Sequence, residues 1–236
     1  MKKLRVFAGP NGSGKSTLTS IIKEKFKMGV YVNADEIKVS IREKSKLSFS
    51  DFRIEVQKTS FLEALGSTSF DTSDNAGRWQ FQGNELVFMD VNSVSDYFIA
   101  FLSDFIRQQL LEQSERFFFE TVMSHPSKLE IMKQAKEKGF KVYLYFVSLQ
   151  DPALNILRVK TRVDQGGHNV DEKKITSRYG RTMEHLYDAI KIADSAYIFD
   201  NSGSELKLIA QKEDGKLTAK VDYAPLWYKQ YVLNKI

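Results

Sequence analysis

Leu4 to Ala8 form a short apolar run that closes on Gly9-Pro10-Asn11-Gly12, and beyond it Leu18, Ile21, Ile22 and Phe26 recur at helical spacing. The pattern predicts a strand, a tight glycine-rich turn and a helix over Lys15–Phe26. Val30 to Val32 predicts a second strand closing at Asn33-Ala34-Asp35, followed by amphipathic stretches at about 36–45 and 51–65. From Gly66 to Asp90 the rhythm breaks into Ser, Thr, Asp, Asn and Gly. Within that break Trp79–Gln82 and Glu85–Phe88 flank Gly83-Asn84 and predict a small hairpin. Residues 66–92 therefore read as an insertion.

A helix follows at about 95–113, then Arg116-Phe117-Phe118-Phe119-Glu120-Thr121. Three consecutive phenylalanines suit a strand buried on both faces, as parallel sheets require. Pro126 opens a helix that ends before Gly139, and Lys141–Leu149 is a long apolar strand. Asp151-Pro152 starts a helix to about 163; Gly166-Gly167 leads to another at 171–193, and Ala196–Phe199 is again strand-like. The alternation predicts an α/β fold, a doubly wound, mostly parallel sheet. Leu206–Gln211 and Leu217–Val221 predict a C-terminal hairpin turned at Asp214-Gly215, within a tail spanning 204–236.

The chain has 236 residues, a length that suits one domain over 1–236 carrying an insertion. It has no cysteine, which removes disulfides, thiolate nucleophiles and Cys-ligated zinc. Its histidines, His125, His168 and His185, are too scattered for a zinc site. No stretch has the length of a membrane span, and Arg5 interrupts the apolar start, so the expectation is a cytoplasmic protein without a membrane partner. The net charge is +5, but the lysines are interspersed with acids and no Arg-rich block alternates with aromatics. That distribution argues against a nucleic-acid groove and suits a phosphate-rich small ligand equally well.

Gly9-Pro10-Asn11-Gly12-Ser13-Gly14-Lys15-Ser16 fits G-x-x-x-x-G-K-[ST] in full, and Thr17 extends it. The loop lies between an expected strand and an expected helix, which is the context the motif needs. Glycines let successive N–H groups converge on an anion at the positive end of a helix. Lys15 should reach the β- and γ-phosphates, and the Ser16 hydroxyl should bind Mg²⁺. The bland alternative is a tight glycine turn with an exposed lysine. The signature of transporter ATPases (Leu-Ser-Gly-Gly-Gln) and the base-reading Asn-Lys-x-Asp of GTPases are both missing.

Asp35 follows the second strand, at the carboxyl edge where open α/β sheets bind ligands. It could accept the proton of a substrate hydroxyl, or it could cap the following helix. Glu120 reaches the same edge, where it could hold Mg²⁺ or substrate, or simply end a strand; Thr121 could support either role. Arg158 and Arg162 share a face of one helix, and Arg178, Arg181 and His185 share a face of the next. Across the glycine-containing loop 164–170 they could close as a lid on phosphate, or they could be surface arginines paired with acids.

Together these residues resemble the zeta-toxin-like P-loop kinases. The resemblance is carried by Gly9–Thr17, Asn33-Ala34-Asp35-Glu36-Ile37, Phe119-Glu120-Thr121, Arg158–Arg162 with Gly166-Gly167-His168, Ile175–Arg181 and Phe199-Asp200-Asn201-Ser202. It spans about residues 1–203, with 66–92 unmatched. It implies a P-loop kinase sheet that binds ATP and Mg²⁺ through Lys15 and Ser16, with Asp35 as the hydroxyl base and Arg162 and Arg178 on phosphate. Toxin members of the family phosphorylate UDP-N-acetylglucosamine and are held inactive by a small antitoxin. The expectation is a phosphotransferase acting on a small, nucleotide-linked acceptor, with Arg158 among the nucleotide contacts. Two rival readings keep the same loop: a polynucleotide or RNA-end kinase, and a regulatory ATPase without an acceptor.

Overall fold

The computed structural model describes residues 1–68, 78–167 and 169–236; residues 69–77 of the expected insertion and His168 of the expected lid loop lie outside them. Elements in the first half are β1 (Lys3–Ala8), α1 (Lys15–Lys25), β2 (Val30–Val32), α2 (Ala34–Lys44), β3 (Lys46–Ser48), α3 (Lys58–Gly66), β4 (Trp79–Gln82), β5 (Glu85–Phe88) and α4 (Asp96–Gln113). They continue as β6 (Arg116–Thr121), α5 (Ser127–Glu137), β7 (Lys141–Ser148), α6 (Pro152–Asp164), α7 (Glu172–Ile192), β8 (Ser195–Asp200), β9 (Lys207–Glu213), β10 (Lys216–Ala219) and α8 (Leu226–Tyr231). The chain forms two compact units, residues 1–28 with 118–236, and residues 29–117.

In the first unit the strands lie in the order β10-β9-β8-β7-β1-β6. β1 pairs in parallel with β7, and β7 with β8, while β9 and β10 continue antiparallel. Alternation along the strands sends side chains to opposite faces, and both faces are covered. On one, Phe7 stacks on Tyr145 at 4.8 Å, and Arg5 lies 5.7 Å from the Phe26 ring at the end of α1. On the other, Ser148 approaches Met183 of α7, and Phe146 lies 6.3 Å from Trp227 of α8. Helices on both faces of a mostly parallel sheet are the doubly wound α/β arrangement expected from the sequence.

The C-terminal hairpin turns on Asp214 and Gly215, with φ +48° and +78°. Two successive positive φ values match the right-handed twist of the paired strands, which explains the two-residue turn. From β9, Lys212 donates to the carbonyls of Ile190 and Ala193 at 2.8 and 2.7 Å and so caps the end of α7. Helix α8 was not expected: its six residues are too few to show a helical period, yet Trp227 anchors it by donating to Asp200 at 2.6 Å.

The second unit contains the antiparallel sheet β3-β5-β4, including the expected hairpin at 79–88. Its core is aromatic. Phe61 is fully buried, with the rings of Phe105 at 5.2 Å, Trp79 at 5.3 Å and Phe101 at 5.8 Å. The stretch at about 51–65, expected as amphipathic, is broken. A 3₁₀ turn covers Phe49–Phe52, Arg53 has φ +57°, and α3 starts only at Lys58. Between them Ile54 and Val56 are buried and Glu55 is exposed, the period of extended chain. Side-chain amides hold that backbone: Asn84 accepts from Val56 N at 2.9 Å and donates to Ile54 O at 2.8 Å, and Gln113 pairs likewise with Glu55. These partners are 28 to 58 residues away, beyond the reach of a local pattern.

Candidate functional site

Strand β1 ends at Ala8, and the loop folds back over the start of α1. Gly9 N donates to Thr121 O at 3.2 Å and Ser13 N to Pro10 O at 3.3 Å. Gly14, the residue before α1, has φ +100°, a conformation that glycine adopts without strain. No side chain caps the α1 N-terminus and its first turn carries no acid of its own, so the positive end of the helix dipole faces the loop. Backbone groups thus shape the loop that the sequence expects to cradle an anion. Lys15 folds across it, with Nζ 2.8 Å from Gly9 O and 2.9 Å from Pro10 O.

The Ser16 hydroxyl donates to Glu120 Oε2 at 2.9 Å, joining two residues 104 positions apart. A hydroxyl beside a carboxylate is an oxygen donor pair that suits a hard cation such as Mg²⁺. Among the described residues no three His, Cys, Asp or Glu side chains cluster as a metal site. A cation here would complete its shell with water and phosphate oxygens, as Mg²⁺ commonly does. Thr121 shapes the next turn: its Oγ1 accepts from Met123 N at 2.9 Å, and Met123 has φ +60°.

Two asparagines hold the loop from outside. Asn155 of α6, fully buried, donates to Asn11 O at 2.6 Å. Asn201, just past β8, donates to Ser13 O at 2.8 Å. Arg158 donates to Asn201 O at 2.7 Å, which links α6 to the same turn. Asp200 organises that turn by accepting from the amide and hydroxyl of Ser202 at 3.0 Å and from Trp227. In the sequence Asn201 and Asp200 carry only the family resemblance, with no role of their own, and Asn155 belongs to no motif. The available signal was a polar residue one turn before Val159 on the buried face of α6.

The remaining expected residues occupy neighbouring helices of the first unit or lie in the second unit. Arg162 is exposed on α6, where its carbonyl accepts from Gly167 N at 2.9 Å. Arg178 is half-buried on α7, and among the described residues its guanidinium has no hydrogen bond or ion pair. A 2.7 Å ion pair between Lys160 and Glu172 bridges the two helices. Next to Arg178 in sequence, the Tyr179 hydroxyl is pushed up to about 12 by burial, so it stays protonated and donates to Leu149 O at 2.9 Å. In the second unit Asn33 caps α2 by accepting from Asp35 N at 2.8 Å. Asp35 is exposed beside a depression of about 330 Å³ with Val39 and Ser40, and among the described residues its carboxylate has no hydrogen bond or ion pair.

A family model described as Zeta toxin matches residues 84–213, more than half of the 236 residues. The chain belongs to the zeta toxin family. The match begins after the phosphate loop, so the loop and the family range are independent observations. A curated relative of this zeta toxin family chain, an uncharacterized protein of Haemophilus influenzae, is 36% identical over 69 residues, covering 29% of this chain and 49% of that protein. The chain therefore spans about half the length of that relative.

Solved structures place the zeta toxin chain among similar folds. The complex of AvrRxo1-ORF1 and AvrRxo1-ORF2 with sulphate ions has a TM-score of 0.61 at 14% identity, covering 98% of this chain and 63% of that chain. The same complex with ATP has a TM-score of 0.59 at 15% identity, covering 93% and 61%. The PezAT chromosomal toxin–antitoxin system of Streptococcus pneumoniae has a TM-score of 0.55 at 14% identity, covering 98% and 79%. Among the described residues no helix is long and apolar enough to cross a membrane.

Proposed function

We propose that this chain is an ATP- and Mg²⁺-dependent phosphotransferase that moves the γ-phosphoryl of ATP to a hydroxyl of a small, nucleotide-sugar acceptor. The observation that carries the reading is the phosphate loop itself. Its uncapped helix N-terminus and Lys15 suit an anion and the Ser16–Glu120 pair suits a cation, at the ends of the strands β1 and β6. Zeta toxin membership and the AvrRxo1-ORF1:-ORF2 structure with ATP support ATP as the donor. In the reaction the bond from the γ-phosphorus to its bridging oxygen breaks, a bond to the acceptor oxygen forms, and the acceptor proton passes to a base.

Loop amides and Lys15 bind the phosphates, and Ser16 and Glu120 hold Mg²⁺, which when bound neutralises phosphate charge. Asp35 is the base: Asn33 already serves as the helix cap, which leaves the Asp35 carboxylate available to accept a proton. Thr121 supports the acceptor beside Glu120. Arg158 contacts the nucleotide, and Arg162 and Arg178 deliver positive charge to the transferring group. The acceptor proposed on family resemblance is UDP-N-acetylglucosamine, and the partner is a small antitoxin protein, as in the PezAT system. The reaction belongs in the cytoplasm, where ATP is present.

The test is transfer from γ-labelled ATP with Mg²⁺ to UDP-N-acetylglucosamine, a small-metabolite extract or a 5′-hydroxyl oligonucleotide. Lys15→Ala should abolish labelling, and full activity in that variant would overturn the phosphate-loop assignment. Asp35→Asn should remove transfer and leave ATP affinity nearly intact. Label on the oligonucleotide would replace the small acceptor with a nucleic acid, and ATP binding without any labelled acceptor would favour the regulatory ATPase.

A further inference from the structure

We infer that Asn155 and Asn201 are positioning residues that hold the phosphate loop in its anion-binding shape from two sides. The inference rests on the reading of Gly9–Thr17 as a phosphate loop and adds the two side chains that fix its form. A loop built to offer N–H groups inward turns carbonyls outward, and these need donors. Asn155 meets Asn11 O at 2.6 Å and Asn201 meets Ser13 O at 2.8 Å, so the two amides hold carbonyls on either side of Gly12.

Burial and close approach point the same way. Asn155 is fully buried on α6, where an amide costs free energy unless it is hydrogen-bonded, and the bond that offsets this is the one from its Nδ2 to Asn11 O. A Cβ at Gly12, which has φ +72°, would stand 2.8 Å from Asn155 O and 3.2 Å from Val159. A Cβ at Gly14 would stand 2.4 Å from Asn201 Nδ2. The motif demands glycine at 14 but leaves 12 open. Gly12 is explained by the close passage of α6, so the loop and its two supports form one packed assembly. Arg158, through its 2.7 Å bond to Asn201 O, fixes the second support from the same helix that carries the first.

The test measures ATP affinity by titration calorimetry on the full chain with Mg²⁺, alongside the melting temperature without ATP. Asn155→Ala and Asn201→Ala should each weaken ATP binding about tenfold, the scale of one lost hydrogen bond to a functional loop. If Asn155→Ala does not fold, Asn201→Asp keeps the question open to measurement, because it preserves size and replaces the donor with a carboxylate oxygen. At pH 8 its carboxylate should face the Ser13 carbonyl and weaken ATP binding. Wild-type affinity in Asn201→Asp at pH 8, or in both alanine variants, overturns the inference while the phosphate-loop reading stands. Failure of the wild type to bind ATP overturns that reading, and the inference with it.

Discussion

The phosphate loop and the aromatic unit of residues 29–117 are ordered by opposite means. The loop is short in sequence and polar. Its shape comes from positive φ at Gly12 and Gly14 and from side-chain amides aimed at backbone carbonyls. The 29–117 unit is held by rings: Phe49 has the rings of Phe61, Phe81 and Phe105 within 6.1 Å, and Phe61 and Phe105 lie 5.2 Å apart, on elements distant in sequence. A ring cluster tolerates variation in detail as long as volume is kept, whereas a backbone cradle fails when a single Cβ or donor is wrong. Chemistry should therefore be sensitive to the loop, and stability to the rings.

The sharpest way to break this contrast is at Phe61. Phe61→Ala should cost about 3–5 kcal/mol and lower the melting temperature by about 10 °C, while Phe61→Leu should cost about 1.5 kcal/mol or less. Equal melting temperatures for all three proteins would remove the ring cluster from the stability argument. Gly14→Ala comes next: with φ +100° and a 2.4 Å approach to Asn201, it should weaken ATP binding about a hundredfold. A folded Gly14→Ala protein with wild-type affinity would show that the cradle is not shape-limited. Glu120→Gln should raise the Mg²⁺ concentration needed for half-maximal transfer about tenfold, because it removes a charged oxygen beside Ser16. An unchanged Mg²⁺ requirement would make Glu120 a strand-end residue only.

The smallest effect is expected outside both regions, at Asp194. Partial burial pushes its carboxyl up, but the Lys136 ammonium and the Val142 amide outweigh burial and hold it below 3.8. A carboxyl depressed in the folded state contributes stability above its unfolded value and loses it as pH falls through the folded value. Asp194→Asn should therefore cost about 0.2–1 kcal/mol at pH 7 in urea unfolding and flatten the loss of stability below pH 4. An acid limb identical to that of the wild type would sink the assignment.

Much of the fold was legible because its signals are local. Alternating runs of apolar strand and amphipathic helix set the order of elements, and Asp214-Gly215 and Gly83-Asn84 set the two hairpins. What failed was short or held from afar: β3 has three residues, α8 has six, and the 54–57 segment is extended only because Asn84 and Gln113 satisfy it. The site divides the same way. Gly9–Thr17 announces itself, since a motif is a local requirement of backbone geometry. Glu120 needed only its place at the end of a strand.

By itself the sequence determined a phosphate loop between a strand and a helix, an α/β order and the family resemblance, because each depends on residues a few positions apart. Only the tertiary structure decided that Ser16 meets Glu120 across 104 positions, that Asn201 meets the Ser13 carbonyl across 188, and that Gly12 leaves room for α6. A hydrogen bond or a close approach between distant segments leaves no periodic trace in the chain, since it is fixed by how the elements pack.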